Sequence, residues 1–354
     1  MGNSYYPTME WESRKPEEVG LNRARLSELH SAIAEKYSNI GGIVVVRNGY
    51  IGFEKYYNGY GENSRRHITS VTKSVVSALV GIAIDAGSIK SVDQKALDFF
   101  PEYKSTYNGK LQSEISIFHL LTMTAPYLFE DWNEPLERIC EQEHWEKYIW
   151  DMFDQDSSPG TFKYSTAGVQ LLSSIITRAT GMSAREYANE RLFRRIGIAE
   201  IPDHKMEAFD FENLFGEKLR GWAKDPQNNS TGGFGLTLTA REMARFGLVY
   251  LNHGAWGDEQ VVSGSWIEAS TSPHSKVVIN GSTKAYGYLW WLCEDNGTKA
   301  YLALGDGGNA VCCIPNANMV VAILSDFIPA PEDRWSLIQQ LIIPAILARE
   351  GNSP

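Results

Sequence analysis

The chain has 354 residues, 43% of them hydrophobic and 12% aromatic, enough for a core shared by one large domain or two lobes. Disorder, collagen-like repeats and a small disulfide scaffold are excluded. Lys and Arg number 33 against 43 Asp and Glu, a formal net charge of −10, which makes nucleic acid or an anionic membrane a poor partner.

The first ten residues, MGNSYYPTME, lack the basic and apolar regions of a signal peptide. Leu21 to Tyr37 has helical spacing, and Asn48-Gly49 between IVVVR and YIGFEKYY predicts a hairpin. Ser70 to Ala86 is apolar nearly all round, as a buried helix must be. Its apolar stretch, Val75 to Ile84, is broken by Ser77 and Gly81 and is too short to span a bilayer. Ala167 to Thr180 reads as a helix ended by Gly181. Ser183-Ala-Arg-Glu186 and Thr239-Ala-Arg-Glu242 are capping boxes that open two more, closed by Gly197 and Gly254. Tyr301–Leu304, Val311–Ile314 and Met319–Leu324 are short β-rich runs, followed by a helix from Arg334 to Ala348 that Pro344 should kink or shorten.

Strands at both ends around a helical middle, without βαβ alternation, predict an α+β fold: an antiparallel sheet flanked by N- and C-terminal helices, with an inserted mostly helical region. A single domain is expected over 16–350. Its sheet lobe would comprise 16–68 plus 285–350, and its mainly helical lobe 69–284. Cys140, Cys293, Cys312 and Cys313 lack metal-ligand spacing, and the adjacent pair should face opposite sides of a strand. Buried free thiols in a reducing cytosol follow. No His or Cys pair has zinc-like spacing, so no metal is expected, and no pair of acids is singled out as a glycosidase pair would be.

The sharpest chemical feature is Ser70-Val71-Thr72-Lys73. Residues three apart share a helix face, so the Ser70 hydroxyl and Lys73 ammonium can meet across one turn. A free serine is a weak nucleophile and needs a neighbouring base. Beside Val71, Val75, Val76 and Leu79, Lys73 is partly desolvated, which favours its neutral, basic form. The helix start also aims free N–H groups at a developing oxyanion. In isolation, the same four residues also occur on solvated helix faces.

Tyr164-Ser165-Thr166 follows the Pro159-Gly160 turn. A tyrosine there can relay a proton into a cleft, or simply pack in the core ahead of a Ser/Thr N-cap. In Gly305-Asp306-Gly307-Gly308-Asn309 the glycines let backbone approach a ligand and leave an edge N–H free, or form no more than a tight hairpin. A phosphate loop is excluded, since no Lys-Ser/Thr and no strand–loop–helix context follows. His67, three residues before Ser70, reads as structural.

Taken together and in this order, these motifs resemble the serine β-lactamase and penicillin-binding-protein superfamily. Within it the chain is most similar to the class C β-lactamase-like esterases and amidases, a group that includes the 6-aminohexanoate-dimer hydrolases. The resemblance runs from Pro16 to Ile346 through SVTKSVVSALVGIAIDAG, ISIFHLLTMTAP, YSTAGVQLLSSIITRATGMSAREYANERLF, GLTLTAREMARFGLVYLNHGAWG and ALGDGGNAVCCIP. It implies a β-lactamase/transpeptidase-like fold and an acyl-enzyme on Ser70. Lys73 would accept the Ser70 proton or hold Tyr164 in its reactive form. Tyr164 would carry a proton to the leaving group and then activate water. The two titrate together, so either can be the base. The backbone N–H groups of Ser70 and Asn309 would form the oxyanion hole, and Thr166, Asp306, Gly307 and Gly308 would bind substrate.

The chain departs from the penicillin-recognising pattern at two points. Thr166 stands where those members have Asn. Asp306 stands where they have Lys, or His in some esterase-like relatives, and would repel a substrate carboxylate. The resemblance and its two departures therefore imply a serine hydrolase, without cofactor, acting on a small neutral or amine-bearing ester or amide. The lack of a visible signal peptide and the free thiols make the cytoplasm its expected location. A D-amino-acid peptidase, a β-lactamase and a catalytically silent sensor or binding protein are the alternatives.

Trp132, Trp145, Trp150, Trp222, Trp290 and Trp291 are candidates for the walls of an acyl pocket. By resemblance, Tyr286 to Trp291 reads as a strand beside the site. Between Glu130 and Asp156, ten acidic residues face only Arg138 and Lys147, either as a lid by the cleft or as a solvated helix face.

Overall fold

The computed structural model describes residues 5–347 apart from 9, 132–136, 207, 209–212, 214–217 and 280. Asn48 and Gly49 both take positive φ, 55° and 88°, as a two-residue hairpin turn requires. They join β1 (Ile40–Arg47) to β2 (Tyr50–Tyr56). Chain reversal there places β1 second in an eight-stranded sheet. The other six strands lie near the C-terminus: β5 (Ser275–Ile279), β6 (Ser282–Tyr286), β7 (Trp291–Asp295), β8 (Thr298–Gly305), β9 (Asn309–Ile314) and β10 (Met319–Ser325). The order across the sheet is β2-β1-β10-β9-β8-β7-β6-β5, and every neighbouring pair is antiparallel. Residues 40 and 325, far apart in the chain, are thus partners in register.

Two hydrophobic cores divide the sheet by strand periodicity. Ile43, Val45, Cys312, Val321 and Ile323 face one core, with α1 (Arg23–Lys36) and the C-terminal helical segment. Val44, Val46, Cys313, Val320 and Ala322 face the other, with α2 (Val71–Asp85), α3 (Thr166–Thr180) and α5 (Ala240–Leu251). Cys312 and Cys313 are buried free thiols on opposite faces, while Cys140 and Cys293 are partly exposed. Helix α2 is buried from Val71 to Ala83. Its Gly81 sits where a Cβ would strike the Trp266 indole, so the helix cost of glycine, about 1 kcal/mol, is offset by ring packing.

Local signals place the other helix ends. Ser183 and Thr239 accept from the N–H groups of Glu186 and Glu242, opening α4 (Ala184–Ala188) and α5 with complete capping boxes. Gly181 and Gly197 close their helices in the left-handed conformation, both at φ 74°.

Two expectations change. The C-terminal run of sheet strands begins at Ser275, ten residues before 285, because the half-exposed edge strand β5 and its neighbour β6 carry only a weak apolar signal. Tyr286 to Trp291 is not one strand: the chain turns between β6 and β7, with Leu289 at φ 62°. The C-terminal helix ends early, as Pro344 leads one to expect: α6 (Arg334–Leu337) widens over Ile338–Ile342 and closes in a tight turn at Pro344, whose ring nitrogen has no proton to donate. Among the described residues, no helix is long and apolar enough to cross a membrane.

Candidate active site

Short strands β3 (Arg66–His67) and β4 (Thr237–Leu238) pair beside the sheet and deliver the chain to α2. Thr69 then takes φ 50°, a costly conformation for a β-branched residue, and its hydroxyl bonds Ile68 O and, at 3.0 Å, Asp306 O. This bend leaves Ser70 at the N-cap of α2, partly exposed, with its N–H at the positive end of a 15-residue helix.

One turn on, Lys73 is 2% exposed, and its Nζ lies 2.8 Å from Ser70 Oγ, 2.8 Å from Thr166 Oγ1 and 3.0 Å from the Gly233 carbonyl. Tyr164 is hydrogen-bonded to Ser70, and its ring centroid is 4.9 Å from Lys73 Nζ. Burial pulls the Lys73 ammonium down from its ordinary range, against the opposite pull of Asp131 and Asp306. Burial also drives the Tyr164 phenol well up, with the Ser70 bond opposing it. A buried amine biased toward neutrality thus touches a partly exposed hydroxyl, with a neutral phenol beside it.

The β8–β9 turn closes the other side. Gly305 lies so near the start of α2 that an added Cβ would meet Thr69 Oγ1, Ile68 O and, at 3.1 Å, Ser70 N. Asp306 is exposed at the mouth, whereas Gly307 and Gly308 are buried at φ 78° and 89°.

A family profile described as "Beta-lactamase" matches residues 29–336. The chain belongs to the β-lactamase family. It is similar to the 6-aminohexanoate-dimer hydrolase of Paenarthrobacter ureafaciens, at 25% identity over 344 residues, covering 90% of this chain and 80% of the relative. Among solved structures, a class C β-lactamase superposes with a TM-score of 0.68 at 13% identity, covering 96% of this chain and 98% of its own. A penicillin-binding protein from Bacillus halodurans does so with 0.65 at 19%, covering 88% and 99%. These two likenesses show a shared fold.

The β-lactamase-family fold therefore brings Ser70, Lys73 and Tyr164 into one bonded cluster, with the Asp306 carboxylate close enough to act on both Lys73 and Tyr164. The other expected site residues lie around this cluster as follows. Thr166 is buried with its hydroxyl committed to Lys73 and Asp131, so it meets the amine rather than open space for substrate. The Gly307 and Gly308 carbonyls point into the core. The first accepts from Asn39 at 2.6 Å and the second from Arg334 Nε at 3.0 Å, so these glycines shape the turn instead of meeting a ligand through those groups. Asn309 is 1% exposed and pairs opposite Gly305. Its side chain accepts from Ser325 N–H at 2.9 Å and donates to Asp306 O at 3.1 Å. The close approach to Ser70 is made by Gly305, four residues earlier.

His67 Nε2 accepts from Gly235 N–H at 2.6 Å, so that nitrogen is engaged by backbone and not by Ser70. Of the tryptophans, Trp145, Trp150, Trp222 and Trp290 are core residues, while Trp291 is partly exposed and stacks on Tyr164 with centroids 5.9 Å apart. Trp132 and Glu134 lie outside the described residues. The acidic segment is not one surface. Glu146 is buried against Arg178 and Asn229, Lys147 and Tyr107 bond Asp151, and Asp131 turns into the site.

Sequence reading missed Asp131, Gly233, Asn39 and Arg334. Asp131 arrives because the chains around 123–131 and 160–166 run together, through bonds Gly160 N→Thr124 O, Lys163 N→Met123 O and Asp131 N→Tyr164 O. Nothing local to Asp131 marks it. The Gly232-Gly233 pair did carry a signal: a Cβ on Gly232 would strike the Val169 carbonyl, and one on Gly233 would crowd Thr166 and Lys73.

Proposed function

We propose that the protein is a serine hydrolase that cleaves a small neutral or amine-bearing ester or amide through an acyl-enzyme on Ser70. The observation that carries this reading is the 2.8 Å contact between the buried Lys73 amine and the Ser70 hydroxyl, with Tyr164 bonded to the same oxygen.

Ser70 Oγ attacks the acyl carbon while its proton passes to the Lys73–Tyr164 pair. The carbonyl oxygen becomes an oxyanion at the N-terminus of α2, facing the Ser70 N–H. For the second donor we assign the Asp306 N–H in place of that of Asn309, because it directly follows Gly305, the residue packed against Ser70. The carbon–leaving-group bond then breaks, the leaving group takes the proton through Tyr164, and water repeats the sequence to free Ser70. The name of the Paenarthrobacter relative supports a short amide as substrate, and the Asp131 and Asp306 charges disfavour an anionic one.

Treatment with a fluorophosphonate should add one adduct, seen by intact mass, to the wild type and none to Ser70→Ala. A short p-nitrophenyl ester should be turned over faster than nitrocefin. An unlabelled wild type with no ester turnover would leave the silent binding protein as the better reading.

A further inference from the structure

We propose that Asp131 is a positioning residue which, through Thr166, turns the lone pair of neutral Lys73 toward Ser70. The inference rests on the serine-hydrolase reading above and concerns how its base is aimed.

The argument is one of hydrogen-bond valence. The Asp131 carboxylate accepts the Thr166 backbone N–H, at 2.7 Å and 2.9 Å to its two oxygens, and also the Thr166 hydroxyl. An ionised carboxylate has no proton to give, so the single Thr166 hydroxyl proton is spent on Asp131. Thr166 Oγ1 can then meet Lys73 Nζ, 2.8 Å away, only as an acceptor. The Gly233 carbonyl, at 3.0 Å, is likewise an acceptor. Two directions around Nζ must therefore carry N–H bonds, and the third faces Ser70 Oγ at 2.8 Å.

When Lys73 is an ammonium, that third direction also holds a proton. Once Lys73 is neutral, the lone pair can point only at Ser70, ready to take its proton. Without Asp131, the Thr166 hydroxyl can rotate and donate to Nζ. It would then occupy the lone pair and leave an N–H facing Ser70, the wrong polarity for a base. Thr166 thus works as a one-way connector whose sense is fixed by a residue 35 positions away.

The charges around this line are few. Lys73 faces Asp131 from the loop after Tyr127, Asp306 from the β8–β9 turn, and the Tyr164 phenol. Asp131 faces Lys73 and Asp306, and its charge reaches Tyr127, Tyr164 and Tyr286, phenols that burial keeps protonated. Burial pushes the Asp131 carboxyl up, while Lys73 and the two Thr166 bonds pull it down.

The test uses the full chain and a p-nitrophenyl ester over a range of pH. Asp131→Ala, which leaves no acceptor for the Thr166 hydroxyl, and Thr166→Val should each lower kcat about 100-fold, the scale of general-base catalysis, with KM changed far less. The double variant should be no worse than either single one, because both cut the same line. Thr166→Ser keeps the hydroxyl and should restore most of kcat. Asp131→Ala also removes a negative charge facing Lys73, so the acidic limb of kcat/KM should move to lower pH. Thr166→Val keeps that charge and should leave the limb in place.

A folded Asp131→Ala enzyme with unchanged kcat would overturn the proposal, whether or not the limb moves, as would losses that multiply in the double variant. Thr166→Val, close in shape and retaining the backbone N–H that Asp131 accepts, carries the test if Asp131→Ala does not fold. If the wild type takes up fluorophosphonate and turns over ester while these variants behave like it, only this inference falls. If the wild type does neither, the hydrolase reading falls and this inference with it.

Discussion

Gly305 packs so close to Ser70 that a methyl group added to it would lie 3.1 Å from Ser70 N and would also run into the Ile68 carbonyl and Thr69 hydroxyl. Gly305 has φ −133°, an extended conformation open to any residue, so glycine is needed there for space and not for backbone freedom. The end of β8 and the start of α2 are held together by this absence of a side chain. The Thr69 hydroxyl adds a bond from the strained turn to Asp306 O.

Gly305→Ala should push the β8–β9 turn off the nucleophile. Most of what the new Cβ meets is backbone, which cannot rotate away. Overpacking of this kind costs about 1–3 kcal/mol in stability. On the mechanism proposed above, the displaced Asp306 N–H would be an oxyanion donor, and its loss should lower kcat by about 100-fold. Gly61→Ala is the control, since a Cβ there meets nothing within 4 Å. Paired measurements of kcat and urea midpoint on both variants check this, and equal kcat values would show that the turn has room to move.

Behind the same turn, Arg334 is 2% exposed and donates to Gly308 O at 3.0 Å, to Gly307 O at 3.3 Å and to Asn39 Oδ1 at 2.8 Å. Burial pulls its guanidinium down to about 10, with Tyr37, Asp333 and Glu332 opposing. Arg334→Leu removes several charged hydrogen bonds at once and should cost about 3 kcal/mol. Arg334→Lys should recover only part, since one ammonium cannot span the three acceptors. Urea unfolding of the two variants measures the difference. Ester turnover by the folded fraction should fall as well, because the carbonyls that set the turn lose their anchor.

Features decided within a few residues were legible in the sequence. Asn48-Gly49 needs only its own φ angles, Gly181 only the helix before it, and the two capping boxes only four residues each. Ser70 and Lys73 share a helix turn, so their contact followed from spacing. Tyr164 entered only through the order of motifs. Asp131 meets Thr166 across 35 residues and Arg334 meets Gly308 across 26, and no local pattern encodes either meeting. Motif order alone names the Asn309 amide as oxyanion donor; the packing of Gly305 on Ser70, which no motif encodes, is what supports the Asp306 amide in the mechanism proposed above. Strands β5 and β6 were missed because an edge strand with exposed residues such as Val278 has no continuous apolar run.

Asp225 should make stability fall as pH rises through the weakly acidic range. Its carboxyl is pushed up to about 6, chiefly by burial, with Glu146 adding and the bonds from Asn229 and Gln170 opposing. The folded state therefore keeps a proton that the unfolded chain releases near pH 4. The cost of ionising the buried carboxyl is absent below pH 4, grows up to pH 6 and is constant above, at ~3 kcal/mol. Urea unfolding at pH 4.5 and pH 7 should show this extra loss in the wild type and not in Asp225→Asn. Comparing slopes cancels every other titrating group. Parallel pH dependence in the two proteins would show that Asp225 is ionised in both states.

Two of the chain's carboxylates, Asp131 within the site and Asp306 at its mouth, are close enough to act on Lys73 and Tyr164. Because Asp306 is exposed, water and salt weaken its reach. At about 4 Å in water a unit charge is worth about 1 kcal/mol, roughly fivefold in rate. Asp306→Asn should therefore raise kcat/KM for a succinyl ester severalfold over that for the matching neutral ester. It should lower kcat/KM for an amine-bearing ester by a similar factor. Both changes should shrink between low salt and 1 M NaCl, where the screening length falls to about 3 Å. If the ratio of anionic to neutral substrate is the same in both proteins at low salt, Asp306 is turned away from the acyl donor, and its carboxylate does no more than close the turn.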